Sequence, residues 1–128
     1  MSFEEAEILK ERAEAFLINS EKLVNEGFFD LAAFNLEQYC QLMLKYKLLL
    51  KTGTYPRTHS LTRLVKELSK ITPDISSLLE KENSIVLLTK IEDAYVGSRY
   101  LSRRYEEIEV KALLKYVKEV FKPIIDRI

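Results

Sequence analysis

The sequence predicts an all-α fold, an up-and-down bundle of four to five helices with one short extra helix. Three observations lead there. Apolar residues recur at three- and four-residue spacing over long windows, Gly27, Gly53 and Pro56 fall between those windows, and no stretch alternates with period two for long enough to form a strand. Short connections favour antiparallel neighbours, which is the bundle arrangement.

The first helix is read over Glu4 to Asn25. Ala6, Leu9, Ala13, Phe16, Leu17, Ser20, Leu23 and Val24 make one stripe, and Gly27 supplies a left-handed cap. The second runs from Phe29 to Lys51 and is apolar on more than one face, so it belongs at the centre of the core or at an interface. Gly53 ends it and Pro56 stiffens the loop. Ser60 is then the expected N-cap of a shorter third helix carrying Leu61, Leu64, Val65 and Leu68, which stops near Lys70. Thr72-Pro73-Asp74 starts a brief turn of helix over 75–80, with Thr72 as cap and Pro73 at the first position. The polar run Lys81-Glu82-Asn83-Ser84 reads as a break. A fourth main helix is expected over about Ile85 to Val96, and a fifth over about Arg103 to Arg127 with Ile108, Leu113, Tyr116, Val117, Val120, Phe121 and Ile124 as its stripe.

At 128 residues the chain is the size of one domain, read as residues 1–128 and large enough to bury about two thirds of its unfolded surface. Twenty basic residues balance twenty acidic ones, so any attraction to phosphate must come from local clustering. Cys40 is the only cysteine and lies in an apolar run, where it is expected to pack as a small hydrophobe. The acidic start and the lack of a long apolar span predict a protein that is neither exported nor membrane-spanning, and a cytoplasmic setting.

Two basic-aromatic segments carry the candidate site. Tyr55-Pro56-Arg57-Thr58-His59-Ser60-Leu61 contains the only histidine, and Ser98-Arg99-Tyr100-Leu101-Ser102-Arg103-Arg104-Tyr105 follows two helices later. If successive helices alternate in direction, the third climbs and the fourth descends, so both segments meet at one end of the bundle. There Arg57, His59, Arg63, Arg99, Arg103 and Arg104 join Tyr55, Tyr100, Tyr105 and the amides of two helix N-termini as an anion-binding mouth.

One His and one Cys without clustered acids do not furnish an ordinary zinc or di-iron site, and no metal or cofactor is expected. Neither a nucleophile elbow nor a phosphate-binding glycine loop is present. What remains is His59 as a proton carrier or cation, with arginines holding a phosphate. Plain structural roles compete with that reading. His59 beside a cap can bond a neighbouring helix end, and Arg99, Arg103 and Arg104 can pair with Asp93, Glu106, Glu107 and Glu109. Tyr39 and Tyr46 read as core or interface residues, whereas Gln38, Gln41 and Lys45 on an apolar helix must find partners or face an interface.

Four segments, in register over nearly the whole chain, resemble the HEPN domain family of small helical nucleotide-binding proteins. They are Glu26-Gly27-Phe28-Phe29-Asp30-Leu31-Ala32-Ala33-Phe34, Glu37-Gln38-Tyr39-Cys40-Gln41-Leu42-Met43-Leu44-Lys45, Pro56-Arg57-Thr58-His59-Ser60-Leu61 and Ser98-Arg99-Tyr100. The resemblance implies a bundle that commonly dimerises and often works beside a minimal nucleotidyltransferase in a toxin-antitoxin pair. Many relatives are metal-independent ribonucleases that use an Arg followed, after four to six intervening residues, by a His. Here Arg104, Tyr105 and Glu106 stand at those His positions after Arg99, and Thr52, Gly53 and Thr54 stand at the Arg positions before His59, so the usual pair is missing. Gln41 also stands where many relatives have Glu.

The expectation is therefore a HEPN-type module, leaning to non-enzymatic, that binds a nucleotide or RNA, a nucleotidyltransferase partner, or both. Arg57, His59, Arg99, Tyr100, Arg103 and Arg104 are its candidate binding residues. One alternative is a metal-independent ribonuclease toxin in which Arg99 stabilises phosphoryl charge and Tyr105 or His59 moves protons. The other is a homodimeric adaptor with no nucleotide role, paired through the apolar surplus of its second helix.

Overall fold

The computed structural model describes residues 3–98 and 103–128. Helix α1 (Phe3–Glu26) and helix α2 (Phe29–Thr52) form an antiparallel hairpin; α3 (Leu61–Ser69) follows, then a 3-10 turn (Pro73–Ser76) running into α4 (Ser77–Glu80). Helix α5 (Glu82–Gly97) leads to α6 (Glu107–Tyr116), a π-helical turn (Val117–Phe121) and α7 (Lys122–Arg127). The framework is α1, α2, α5 and the α6–α7 rod, alternating in direction, with α3 and α4 as the short additions. No strand occurs among the described residues, and none of their helices is long and apolar enough to cross a membrane.

The α1–α2 turn is a Schellman cap. Gly27 sits at φ 83°, its N–H donates to the Val24 carbonyl, and the Phe28 N–H reaches back to Leu23 at 2.9 Å. Gly53 takes the same φ of 83° at the end of α2, and Ser60 caps α3 by accepting from the Arg63 amide. Helix α2 is the centre of the molecule: Leu36, Tyr39, Cys40, Met43, Leu44, Tyr46, Leu48 and Leu49 are all buried. Most of its apolar surplus is buried in its own bundle, with Phe29, Phe34 and Leu42 half-buried and Leu31 and Leu50 exposed. Tyr39 meets Phe121 edge to face at 5.8 Å.

Three element boundaries differ from expectation for physical reasons. Helix α5 begins at Glu82 because the apparent polar break is its first turn, and buried Ser84 shares a 2.7 Å hydrogen bond with the Tyr116 hydroxyl. Residues 103–106 are extended rather than helical, since the Tyr105 N–H donates to the Asp30 carboxylate at 2.7 Å instead of entering a helix. Ile108, expected in the buried stripe, is 81% exposed, and the stripe starts at Val110. The π turn precedes Pro123, which has no N–H to return to the Glu119 carbonyl. Thr72 makes no side-chain cap bond, although Pro73 takes the first position as expected.

The largest correction concerns direction. The Tyr105–Asp30 bond puts the start of the α6 rod, and with it the end of α5, beside the α1–α2 turn. That is opposite the end at which α2 finishes. His59 nevertheless reaches that region because residues 53–60 run back along α2. Tyr55 already lies level with Lys45, whose Nζ is 5.3 Å from the ring centroid. Ser60 and the Thr62 amide then meet Glu92 of α5, and the 3-10 turn after α3 packs on α7. Helix α3 therefore descends with α2 rather than climbing. Eight extended residues span up to about 26 Å, enough for that return.

Candidate functional site

The two sequence segments line a common cleft of about 510 Å³. One wall is the strap 53–60, contributing His59 and Ser60; the floor is the last two turns of α5, with Lys90, Glu92, Asp93, Val96 and Gly97; the other wall is the arm 103–106 with Glu109 behind it. Parity of helices predicted this meeting for the wrong reason. The strap's return, not an alternating third helix, produces it.

His59 is exposed, and its ring stacks on Tyr95 at 4.1 Å with planes 5° apart. Ser60, one residue on, is tied to α5 by its hydroxyl, which donates to the Glu92 carboxylate at 3.1 Å. The same carboxylate oxygen accepts the Thr62 amide at 3.2 Å. Those contacts change the electrostatic expectation. The first-turn amides of α3 already hold an internal anion, Glu92, and the Ser60 hydroxyl, so they are not exposed donors for a ligand.

On the arm, Arg103 ion-pairs with Glu109 and lies over the Tyr105 ring, 3.9 Å from its centroid. The Glu109 hydrogen bond raises the guanidinium pKa above its ordinary value. Tyr105 is buried, and burial raises its hydroxyl pKa. Its hydroxyl fits against Gly97, where a Cβ would lie 2.9 Å from the oxygen. Tyr105 thus acts as a wall and a wedge, a poor position for moving protons at neutral pH. Lys90 and Arg103 line the cleft together with Glu92, Asp93 and Glu109, so it carries both signs of charge.

Of the other candidates, Arg57 and Arg63 are exposed on the strap and on the first turn of α3, outside the cleft lining. Arg104 lines a separate recess on the far side of Tyr105. Arg99 and Tyr100 lie outside the described residues. Sequence reasoning placed a fourth main helix here but missed Lys90, Glu92 and Tyr95 on it as site residues. A carboxylate one turn before an aromatic near a helix end was the available signal.

It also missed Glu37. That carboxylate is fully buried, accepting the side-chain amides of Gln38 at 2.7 Å and Gln41 at 2.8 Å. Gln41 in turn accepts from Lys45 Nζ at 2.9 Å, and burial lowers the Lys45 pKa. The polar residues of α2 therefore find internal partners, and the bundle keeps a buried acid one turn before Gln41. Glu37, Gln41 and Lys45 form a row at four-residue spacing that ends beneath Tyr55 of the strap.

The described residues form an all-α bundle with a cleft that carries both signs of charge. The HEPN domain family matches residues 6–128, nearly the whole chain, and the chain belongs to that family. Comparison with curated proteins finds no match. HEPN domains often dimerise.

Proposed function

We propose that residues 1–128 form a single HEPN module that binds a nucleotide or RNA in the cleft between strap and arm and lacks the usual ribonuclease pair. The observation that carries this reading is His59, its ring stacked on Tyr95, lining the same cleft as Arg103 and Tyr105. The exposed His59 ring offers a surface for a base, and Lys90 and Arg103 in the cleft, with Arg57 and Arg104 outside its lining, supply cations for phosphate. Glu92 and Glu109 are engaged by Ser60 and Arg103, but the exposed Asp93 carboxylate suits a base amino group or ribose hydroxyl better than bare phosphate, which favours a nucleotide unit over a simple anion. Arg99 and Tyr100 belong to the same proposed set from their place in the sequence.

The test is Arg99→Ala and His59→Ala, each assayed for nucleotide and RNA binding at low salt. Weaker binding with an unchanged melting temperature is expected; unchanged binding in both variants overturns the reading. RNA cleavage by the purified protein without metal would favour the ribonuclease alternative instead. The partners implied by the family are a second copy and a minimal nucleotidyltransferase, in a cytoplasmic setting that suits the free Cys40 thiol. Sedimentation at micromolar concentration and co-purification with the neighbouring gene's product test them.

A further inference from the structure

A pocket of about 430 Å³ opens between α1, α2 and α7, and none of the residues lining it lines the cleft of strap and arm. Tyr39 forms part of its wall. That residue is only 1% exposed and its ring packs edge to face on Phe121. Burial raises its hydroxyl pKa far above the ordinary value, with Cys40, Asp126 and Glu14 adding to the rise, so the hydroxyl keeps its proton. Yet the Tyr39 hydroxyl makes no hydrogen bond among the described residues, where a buried tyrosine normally has a partner. Every side-chain nitrogen or oxygen sealed from solvent does have one. The Tyr39 oxygen is therefore not sealed, and it opens on the pocket that Tyr39 lines, where Asp126 and Glu14 are found as well.

Cations gather at the other end of the same trough. Lys10 and Lys47 both lie over the Tyr46 ring, with Nζ 5.8 and 5.6 Å from its centroid. Lys10 makes no ion pair among the described residues, and Lys47 donates one proton to the Ile128 carbonyl at 2.9 Å, leaving two unused. Burial lowers the Lys47 pKa, and Lys51 and Lys10 lower it further against the pull of Asp126. Lys122 is already paired with Asp126. Three lysines against two carboxylates leave the pocket with surplus positive charge. Tyr39 and Tyr46 stand one heptad apart, about 10 Å along α2 at helical rise, with Met43 between them and Leu17 and Ile18 of α1 opposite. The trough thus has a cationic end, an apolar middle and an unpaired hydroxyl at the far end.

We infer that this trough binds an elongated organic acid, a monocarboxylate whose far end carries an uncharged carbonyl or amide. The carboxylate lies at Lys10 and Lys47, the apolar chain rests on Met43, Leu17 and Ile18, and the far carbonyl accepts from the Tyr39 hydroxyl. A single surplus positive charge suits a monoanion. Glu14, which makes no ion pair among the described residues and acts on the Tyr39 hydroxyl, disfavours a second carboxylate at that end and accepts an amide N–H there. A water molecule would satisfy the hydroxyl but would leave the two lysines and the apolar wall unused. The trough stands apart from the strap-and-arm cleft, so its occupancy is independent of any nucleotide bound there.

The experiment titrates the full chain with suberic acid monoamide, octanoate and octanamide, followed by calorimetry and by amide chemical shifts. The monoamide is expected to bind roughly fivefold or more tighter than octanoate, the margin of one hydrogen bond from a buried donor. Octanamide, which has no charge for the lysines, shows no saturable binding. Tyr39→Phe abolishes the difference between monoamide and octanoate, because it removes only the hydroxyl that octanoate cannot use. The same variant keeps or raises the melting temperature of the free protein, since the hydroxyl it deletes has no partner to lose. Lys10→Ala, on the partly exposed side of α1, weakens monoamide and octanoate alike and tests the cationic end without touching the core. A preference for the monoamide that survives Tyr39→Phe overturns the inference. So does octanamide binding as tightly as octanoate, which would make the trough a plain apolar groove, and so does the absence of saturable binding by all three compounds to the unaltered chain.

Discussion

The strap 53–60 and the arm 103–106 are alike in composition and unlike in how they are held. Both are non-helical, basic and aromatic, and both line the same cleft. The strap rests on α5 through side chains: the His59–Tyr95 stack and the Ser60–Glu92 bond, with Tyr55 beside Lys45. Its charged groups stay in water. The arm is anchored by its own backbone, through the Tyr105 amide on Asp30, and by a buried ring fitted against Gly97. The comparison teaches that in the arm the candidate site and the fold are one set of contacts, whereas in the strap they can be separated.

Substitutions can break or sharpen that contrast. The largest effect is expected at Tyr105→Ala, which empties a buried aromatic site and should destabilise the fold by about 3 kcal/mol in a denaturant titration. Tyr105→Phe should recover most of that, because the ring rather than the hydroxyl fills the space. Next comes Asp30→Ala, which strips a partly buried amide of its charged acceptor; a loss of about 2 kcal/mol is expected by the same measurement. On the strap, Ser60→Ala removes the α3 cap and the tie to Glu92, for about 1 kcal/mol. Smallest is His59→Ala, which replaces an exposed ring and should change stability by less than about 0.5 kcal/mol while weakening nucleotide or RNA binding. A His59→Ala loss as large as that of Tyr105→Ala would erase the distinction between strap and arm.

The buried row on α2 offers one further comparison. Cys40 lies beside it, and burial raises its thiol pKa well above the ordinary range. Alkylation of Cys40 in the native protein should therefore be slow and should accelerate only on unfolding. Fast modification under native conditions would mean that the core around Glu37 opens readily.

What the sequence determined alone is what a helix encodes within one or two turns. The stripe of α1, the left-handed glycines at 27 and 53, the Ser60 cap, the Pro73 start and the burial of Tyr39, Tyr46 and Cys40 were all legible, as was family membership from four motifs in register. Tertiary structure decided what depends on partners distant in the chain. The amide of Tyr105 leaves the helical ladder only because Asp30, 75 residues away, accepts it. Glu37 is tolerated in the core because two glutamine amides satisfy it. The strap doubles back because Glu92 and Tyr95 wait at the other end, which sequence spacing does not record. Local periodicity reports which face of a helix is buried, but an extended segment carries no such signal, and its path is set by the contacts at its far end.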